Sequence, residues 1–351
     1  MKRDERRARD TTKRGMLDEI RRRVDVLRDV LLQRFNCRHL PPRAVDVVAS
    51  EARGKTYIVT GPTSGIGVTT AHALVKRGAR VILACRTVSK GEDLVARWSA
   101  EAAALKTERP NCRVMKLDLD SLASVRAFAK EFAETEGRLD VLINNAGIFD
   151  MSGSYVKTRD GREQHLQANF LAPALLTMTL LDTLRAAGAK SGDARVVFVS
   201  SKLHELSTGL DLNDMDFRSR RYAASAAYAS SKLAEVLFVR ALDRRLRLNA
   251  PGTRALVLHP GNIVTGVVRT LPWIIQVLYK IIMGGILLTP DQGARATLYC
   301  ATRKEALSDT DGPYFTSECT ERLPSKYALD DDAAENLWRY ALRELGLEEI
   351  I

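Results

Sequence analysis

A tyrosine and a lysine stand four residues apart in the run Tyr228-Ala-Ser-Ser-Lys232. On a helix, this spacing puts both side chains on one face, about one turn apart. A nearby ammonium group favours the phenolate, so it lowers the pKa of the phenol from about 10 towards neutrality and makes it usable as a general acid or base. We therefore predict that Tyr228 transfers a proton and that Lys232 tunes its acidity.

Two serines, Ser200 and Ser201, end an apolar run that is typical of a β-strand. A hydroxyl at the carboxyl edge of a sheet reaches the ligand crevice, so we predict that Ser201 donates a hydrogen bond to a substrate oxygen as negative charge develops there. His204 and His259 lie nearby in the sequence and raise the alternative of a Ser-His hydrolase. No Gly-x-Ser-x-Gly turn surrounds either serine, which disfavours that alternative.

A glycine-rich segment, Thr60-Gly-Pro-Thr-Ser-Gly-Ile-Gly67, directly follows a predicted strand and opens a predicted helix. Its glycines allow a tight turn in which backbone amides approach a pyrophosphate at the positive end of the helix. A turn that needs glycine only for its shape is the alternative, but the strand and the helix around it favour a dinucleotide site. The predicted contacts are Gly61, Ser64, Gly65, Ile66 and Gly67.

The end of the second predicted strand indicates which dinucleotide binds. It reads Ala84-Cys85-Arg86-Thr87 and offers no carboxylate to the hydroxyls of an adenosine ribose. A guanidinium there would pair with a 2′-phosphate through charge-assisted hydrogen bonds, so Arg86 predicts NADP(H), with Lys90 as an assisting cation. The alternative is that Arg86 is a solvated surface residue.

Short apolar β runs alternate with helical stretches from Lys55 onward. The predicted strands are 56–60, 81–85, 113–117, 141–144, 195–200 and 255–259. Nearly continuous apolar strands with room for crossover helices predict a parallel sheet covered on both faces. We therefore predict one α/β domain at residues 53–351, a Rossmann-type doubly wound parallel sheet, preceded by a basic extension at residues 1–52 that contains a helix and a linker.

Apolar residues at three- and four-residue steps predict an amphipathic basic helix in the extension. This apolar stripe consists of Leu17, Ile20, Val24, Leu27, Leu31 and Phe35. Residues 1–14 are expected to be disordered or weakly helical, and the prolines at 41 and 42 to end the helix. The helix could pack on its own domain, form a seam with a partner or lie on a membrane surface, and the sequence leaves these alternatives open.

The charge and the cysteines exclude several classes of protein. Residues 1–43 hold 14 Lys and Arg against 7 Asp and Glu, whereas the remainder holds 40 against 36, so no basic stripe predicts a nucleic acid partner. The five cysteines are far apart and never in a Cys-x-x-Cys pair, so we expect neither a disulfide framework nor a metal site. The first residues resemble neither a signal nor a transit peptide, so we expect a cytoplasmic protein, with peripheral membrane contact left open.

Taken together, the motifs resemble the short-chain dehydrogenase/reductase family over residues 55–346. They are Thr60-Gly-x-x-x-Gly-x-Gly67, Ala84-Cys-Arg86, Asp118-Leu-Asp-Ser-Leu122, Asn144-Asn-Ala-Gly147, Ser201, Tyr228-x-x-x-Lys232 and His259-Pro-Gly261. The resemblance implies that Asp118 contacts the adenine and that Asn169 is a fourth catalytic residue. It also implies further cofactor contacts at Asn145, Ala146, Gly147, Pro260 and Gly261.

Within that family, the sequence is similar to the branch of retinol dehydrogenases and WW-domain oxidoreductases. The similarity rests on Ala84-Cys-Arg86, Ser124-Val-Arg-Ala-Phe128, Gln292-Gly-Ala294 and Leu337-Trp338. The sequence departs from the branch at Asn169-Phe-Leu-Ala172, where Asn-His-Leu-Gly is usual, and no WW module precedes the catalytic domain.

The branch implies hydride transfer between NADP(H) and a hydrophobic alcohol or carbonyl compound such as a retinoid, sterol or polyprenol, with a homodimer left open. It also implies a substrate lid at the apolar run 271–288, for which a buried core helix and membrane dipping are the alternatives. The alternative function is a nucleotide-binding regulatory or scaffold protein that docks through its basic helix.

Overall fold

Eight strands form one sheet in the computed structural model, which describes residues 2–150, 152–263 and 285–348. They are β1 (Thr56–Thr60), β2 (Arg80–Cys85), β3 (Cys112–Lys116), β4 (Val141–Asn144), β5 (Ala194–Val199), β6 (Thr253–Leu258), β7 (Tyr314–Phe315) and β8 (Glu321–Arg322). Their order is β3-β2-β1-β4-β5-β6-β7-β8, and only the β7–β8 pair is antiparallel. The predicted doubly wound sheet is confirmed, with its switch point between β1 and β4.

The sequence located six of these strands to within two residues at each end. They are readable because the central strands are buried on both faces and are therefore nearly continuous apolar runs, as in β1, β4 and β5. The sequence analysis missed β7 and β8, which have two residues each and are too short to show a period.

Helices cover both faces of the sheet. They are α2 (Gly65–Lys76), α3 (Val88–Ala104), α4 (Leu122–Thr135), α5 (Ala172–Thr179), α6 (Leu181–Ser191), α7 (Ala224–Asn249), α8 (Pro290–Thr302) and α9 (Asp331–Leu345). Alternate strand residues point to opposite faces, so Ile58 and Leu142 join the core beneath α4, α5 and α7, whereas Val59 and Ile143 join the core beneath α2 and α8.

The N-terminal helix α1 spans Lys2–Asn36, and its side chains are described from Asp18 onward. Residues 2–14, which we expected to be disordered or weakly helical on their own, are helical here as part of the longer α1. Extending an existing helix adds one backbone hydrogen bond for each residue fixed, and Arg, Lys and Glu are good helix formers. The helix ends before the prolines at 41 and 42, as predicted.

The apolar stripe of α1 faces outward. Ile20, Val24, Leu27, Leu31 and Phe35 are each between 51% and 60% exposed. The helix does pack on its own domain, one of the three predicted alternatives, but it does so through the opposite, more polar face. The stripe is thus an apolar surface that the described part of the chain leaves uncovered.

Gln33 holds α1 on the domain. Its side chain is 1% exposed and makes three hydrogen bonds to backbone groups. Nε2 donates to the carbonyls of Asn262 (3.0 Å) and Ile286 (3.2 Å), and Oε1 accepts from the amide of Asn262 (2.7 Å). These two backbone positions flank residues 264–284, so most of the predicted lid at 271–288 lies outside the described residues.

The linker after α1 also packs on the domain. Ala44, Val47 and Ala52 are buried in the same core as α2 and α8. The amide of Ala44 donates to Asp291 Oδ2 (2.8 Å), and the Arg303 guanidinium donates to the carbonyl of Val47 (2.7 Å). The domain boundary at residue 53 stays a prediction.

The described residues contain no single helix that is long and apolar enough to cross a membrane. One bent pair, Leu166–Thr179 with Leu181–Ser191, passes the same test by length and composition alone, with an angle of 57° between its halves.

We expect the substitution Gln33→Leu to lower the free energy of unfolding by about 1–3 kcal/mol, because it leaves buried backbone groups without their partners. Denaturant unfolding followed by circular dichroism measures the change. Arg28→Leu, at an exposed position of α1, is the matched control and should change the stability by less than about 0.5 kcal/mol. Equal losses in the two variants would contradict the role assigned to Gln33.

Candidate active site

The turn from β1 into α2 is shaped by its glycines. Gly61 and Gly65 have φ angles of +65° and +57°, a region that L-residues rarely adopt. A Cβ atom on Gly67 would lie 2.2 Å from the carbonyl oxygen of Gly61, so no larger residue fits there. Ser64, the N-cap residue of α2, makes no side-chain capping bond, so it leaves the first-turn amides free of a side-chain cap. Such amides at the positive end of a helix suit a phosphate.

The loop after β4 forms the neighbouring wall. The amides of Asn145 and Ala146 donate to Thr60 Oγ1 (3.0 and 2.9 Å), and Asn145 Nδ2 donates to the Thr60 carbonyl (2.8 Å). Asn145 Oδ1 is buried and lacks a hydrogen-bond partner among the described residues. A buried acceptor of this kind is costly unless something donates to it. This acceptor and the α2 amides together fit a dinucleotide laid across the strand ends.

Arg86 lies at the surface, just before α3. Its side chain is 67% exposed, and Nη1 is 3.7 Å from Asp120 Oδ2, a long and weak contact. Asp118 is buried, and its Oδ1 accepts a hydrogen bond from the amide of Asp120 (3.2 Å). The guanidinium therefore faces solvent beside a fixed acidic turn, and Lys90 is exposed one helical turn further on.

Tyr228 and Lys232 lie on one face of α7, as their spacing predicts. Lys232 Nζ is 5.8 Å from the centre of the Tyr228 ring. The ring itself stacks on Phe149, with centroids 4.4 Å apart, and meets the edge of His165 at 6.1 Å. These aromatic contacts fix the plane of the phenol at the mouth of the strand ends. Neither Phe149 nor His165 was singled out in the sequence, because neither belongs to a spaced motif.

Lys232 is buried together with a carboxylate. Its ammonium donates to the carbonyl of Val199 at the end of β5 (3.0 Å) and to Glu235 Oε1 (2.7 Å). Burial alone would lower the pKa of Lys232, but the Glu235 carboxylate outweighs it and raises the pKa above its usual value. Burial raises the pKa of Glu235 to about 7, against the lowering effect of Lys232. The sequence analysis missed Glu235, although its i+3 spacing from Lys232 was a readable signal.

Asn169 lies within a π-helical turn, Leu166–Leu171, a kind of irregularity that is frequent at functional sites. Its Oδ1 accepts from the amide of Ile148 (2.8 Å), and its Nδ2 donates to Ser231 Oγ (3.0 Å). Ser231 precedes Lys232 on α7, so Asn169 ties the loop after β4 to the helix of the catalytic pair. A Cβ on Gly147 would lie 3.3 Å from Lys232 Nζ and 3.4 Å from Asn169 Oδ1, which shows that the two side chains converge there.

Ser201 follows β5 and caps a short 3-10 turn, Lys202–Leu206, that packs against α7. Its Oγ accepts a hydrogen bond from the amide of Leu203 (3.2 Å), and the hydroxyl proton remains available for a donated bond. The preceding Ser200 donates to the carbonyl of Lys232 (3.0 Å). The structure thus joins the turn that carries Ser201 to the helix that carries the tyrosine and the lysine.

The two histidines are not placed as bases for a serine. His204 Nδ1 contacts the carbonyl of Ser201 (2.8 Å), and its Nε2 accepts from the amide of Ser325 (3.3 Å). Burial lowers the pKa of His204 to about 4 and that of His259 to about 3. His259 Nδ1 accepts from the amide of Gly261 (3.2 Å), which shapes the Pro260–Gly261 turn after β6. These contacts remove the geometric basis for a Ser-His hydrolase.

Known proteins resemble this chain over most of its length. A family model described as short chain dehydrogenase matches residues 55–210. The dehydrogenase/reductase SDR family member FEY of Arabidopsis thaliana is 35% identical over 344 residues, which cover 95% of this chain and 89% of that protein. Human retinol dehydrogenase 12 is 38% identical over 294 residues, which cover 84% of this chain and 87% of that protein.

Solved structures agree with these relatives. An uncharacterised protein from Mycobacterium paratuberculosis superposes with a TM-score of 0.66 at 32% identity, over 88% of this chain and 99% of that one. A protein from Beutenbergia cavernae, described by homology as an NAD(P)-dependent gluconate 5-dehydrogenase and solved with NADP at low occupancy, superposes with a TM-score of 0.56 at 26% identity, over 76% of this chain and 95% of that one.

The glycine turn, the Tyr228–Lys232 pair and the strand order agree with these similarities, which extend along both the sequence and the fold. The chain belongs to the short-chain dehydrogenase/reductase family of oxidoreductases, which act on CH–OH groups.

Proposed function

We propose that this protein is an NADP(H)-dependent oxidoreductase that acts on a hydrophobic alcohol or carbonyl compound. The placement of Tyr228 and Lys232 on α7, against the loop after β4 that also borders the glycine turn, carries the proposal. In that position a phenol can exchange a proton with a substrate oxygen whose carbon faces a nicotinamide.

Each side chain of the site has a distinct role in the proposed reaction. The hydroxyl of Tyr228 gives its proton to the substrate oxygen during reduction and takes it back during oxidation. Ser201 donates a hydrogen bond to the same oxygen as negative charge develops. Lys232 stabilises the phenolate that remains, and Asn169 holds the loop after β4 against α7 and supports a proton-relay water. A bound nicotinamide supplies or accepts the hydride.

The preference for NADP(H) rests on Arg86. No carboxylate follows β2, and the exposed guanidinium of Arg86 directly follows this strand, at the position where this fold commonly reads the adenosine ribose of a dinucleotide. Among proteins of similar fold, one was solved with NADP at low occupancy and another with NADH, so the preference rests on Arg86. The remaining predicted contacts, at Asp118, Gly147, Pro260 and Gly261, line the same strand ends.

The substrate class rests on the relatives. Several are named retinol dehydrogenases, and each matches more than four fifths of this chain. We therefore assign a lipid-like substrate of the retinoid, sterol or polyprenol kind.

The apolar stripe of α1 provides a route to such substrates, because it can bind an anionic membrane surface. Five large apolar side chains lie exposed along one side of the helix, and residues 1–43 carry 14 basic against 7 acidic residues. An amphipathic helix of this composition binds lipid through its apolar face and attracts anionic headgroups through its cations. Peripheral binding would bring the site close to a substrate dissolved in the bilayer.

The substitution Tyr228→Phe should reduce NADPH oxidation with all-trans-retinal by at least about 100-fold, because it removes the proton donor. Binding of NADPH, measured by its fluorescence, should be retained. If the wild-type protein binds NADPH but turns over none of a broad set of carbonyl compounds, the nucleotide-binding scaffold is favoured instead. Turnover that does not depend on Tyr228 would have the same meaning.

The substitution Arg86→Ala should raise the KM for NADPH by about 10-fold or more and leave that for NADH unchanged, since a charge-assisted contact to the 2′-phosphate is lost. Arg97→Ala, at an exposed position on α3, is the matched control and should change neither constant. If Arg86→Ala raises both constants equally, the guanidinium does not read the 2′-phosphate.

The double substitution Leu27→Glu with Leu31→Glu should weaken co-sedimentation with vesicles of phosphatidylcholine and phosphatidylserine by at least about 10-fold. Leu248→Glu with Leu323→Glu is the matched control, because these leucines are even more exposed but lie elsewhere. Sedimentation velocity without lipid tests the alternative that the stripe binds a second copy of the chain. That alternative is supported if the wild-type protein does not bind vesicles and forms a dimer that the stripe substitutions dissociate.

A further inference from the structure

Glu235 is a buried carboxylate next to the proposed catalytic pair. The side chain of Glu235 is 3% exposed and that of its partner Lys232 is 4% exposed. Glu235 Oε1 lies 2.7 Å from Lys232 Nζ, while Oε2 is buried and has no hydrogen-bond partner among the described residues. This carboxylate is stabilised mainly by one ammonium group, with a smaller contribution from the Ser200 hydroxyl, so the two charges form a unit.

The pair fixes where the lysine ammonium lies. Two of its three N–H groups are used, one by Glu235 and one by the carbonyl of Val199, which is held in β5. Glu235 draws the ammonium towards the strand, and the remaining N–H is available on the side of Tyr228 and Gly147. Loss of the carboxylate would leave Lys232 held by one neutral acceptor only.

The pair also determines the charge that Tyr228 experiences. An uncompensated ammonium strongly favours the phenolate, whereas an ammonium paired with a carboxylate favours it much less. The groups that act on the pair come from three elements. They are Tyr228 and Ser231 on α7, the Val199 carbonyl and the Ser200 hydroxyl at the end of β5, and Asn169 on the π-helical turn. The ring of Tyr228 also meets the imidazole of His165, whose Nδ1 lies 2.8 Å from Oε1 of the buried Glu163, so this second titratable pair also acts on the phenol.

We propose that Glu235 is a positioning residue that holds Lys232 against β5 and offsets part of its charge, so that the phenol form of Tyr228 is favoured over the phenolate and carbonyl reduction becomes faster relative to alcohol oxidation at a given pH. This inference rests on the proposed function of the Tyr228–Lys232 pair. Glu235 would act on these relative rates without touching the substrate.

The acidity of Glu235 makes its influence depend on pH. Burial raises its pKa to about 7, so the carboxylate becomes fully charged only above neutrality. The neighbouring Lys232 has a raised pKa and stays positive throughout that range. As the pH rises through 7, the growing negative charge on Glu235 therefore opposes ionisation of the tyrosine.

The substitution Glu235→Gln tests the proposal, because it keeps the shape and removes the charge. Oxidation of an alcohol needs the phenolate, and reduction of a carbonyl needs the phenol. The pH at which kcat for oxidation rises and the pH at which kcat for reduction falls (the two pH limbs) should therefore both decrease by about one unit. At neutral pH, the rate of oxidation should rise relative to that of reduction. The conservative variant Glu235→Asp, which restores the charge, should restore the wild-type limbs.

A second readout is independent of turnover. The phenolate absorbance of Tyr228, obtained as the difference between the protein and its Tyr228→Phe variant, reports the ionisation of the tyrosine without cofactor or substrate. It should appear at lower pH in the Glu235→Gln background. Glu101→Gln, which removes the carboxylate of the exposed Lys76–Glu101 pair (2.7 Å), is the matched control and should move nothing. Glu235→Asn replaces Glu235→Gln if the latter does not fold.

The outcomes separate this inference from the proposed function. If turnover depends on Tyr228 but the pH limbs and the phenolate titration are unchanged in Glu235→Gln and Glu235→Asn, the role of Glu235 is overturned. The proposed function would then remain intact. An absence of turnover in the wild type overturns the function, while a shifted phenolate titration would still support the coupling between Glu235 and Tyr228.

Discussion

A positive charge buried at the end of a parallel sheet is the constraint on which the site depends. The Lys232 ammonium cannot remain in a nearly anhydrous position unless acceptors surround it, and β5 supplies one through Val199 while α7 supplies the other through Glu235. The hydroxyl of Ser200 joins the same strand to the same helix. The requirement to satisfy one charge therefore sets the separation of α7 from the strand ends, and with it the position of Tyr228.

The parts of the structure that were predictable from sequence are those encoded by neighbours in the chain. The strand runs, the glycine turn and the Tyr-x-x-x-Lys spacing each depend on residues within a few positions of one another, and all three appear in the structure where the sequence placed them. The hydrophobic period of α1 was also read correctly, since a helix is present. Its orientation was not, because the residue that decides it, Gln33, pairs with backbone groups 229 and 253 residues away.

The same distinction applies to the candidate site. Tyr228 and Lys232 were recognised from their spacing, whereas the ring of Phe149 and the edge of His165 reach the phenol only through the fold. Glu235 lies between these cases, because its spacing from Lys232 is local but its importance comes from burial. A lysine and a glutamate three residues apart on an exposed helix would be an ordinary surface pair. Sequence alone does not distinguish the two situations.

The hydrogen bonds of Gln33 also set an order of events during folding. Its partners at Asn262 and Ile286 lie on the chain after β6 and just before α8, so they are made long after α1 has left the ribosome. The helix can form early from local contacts, but Gln33 cannot make these bonds until residues 262–286 have been synthesised. A helix that precedes the whole sheet in the chain is thus locked in place by residues that follow β6.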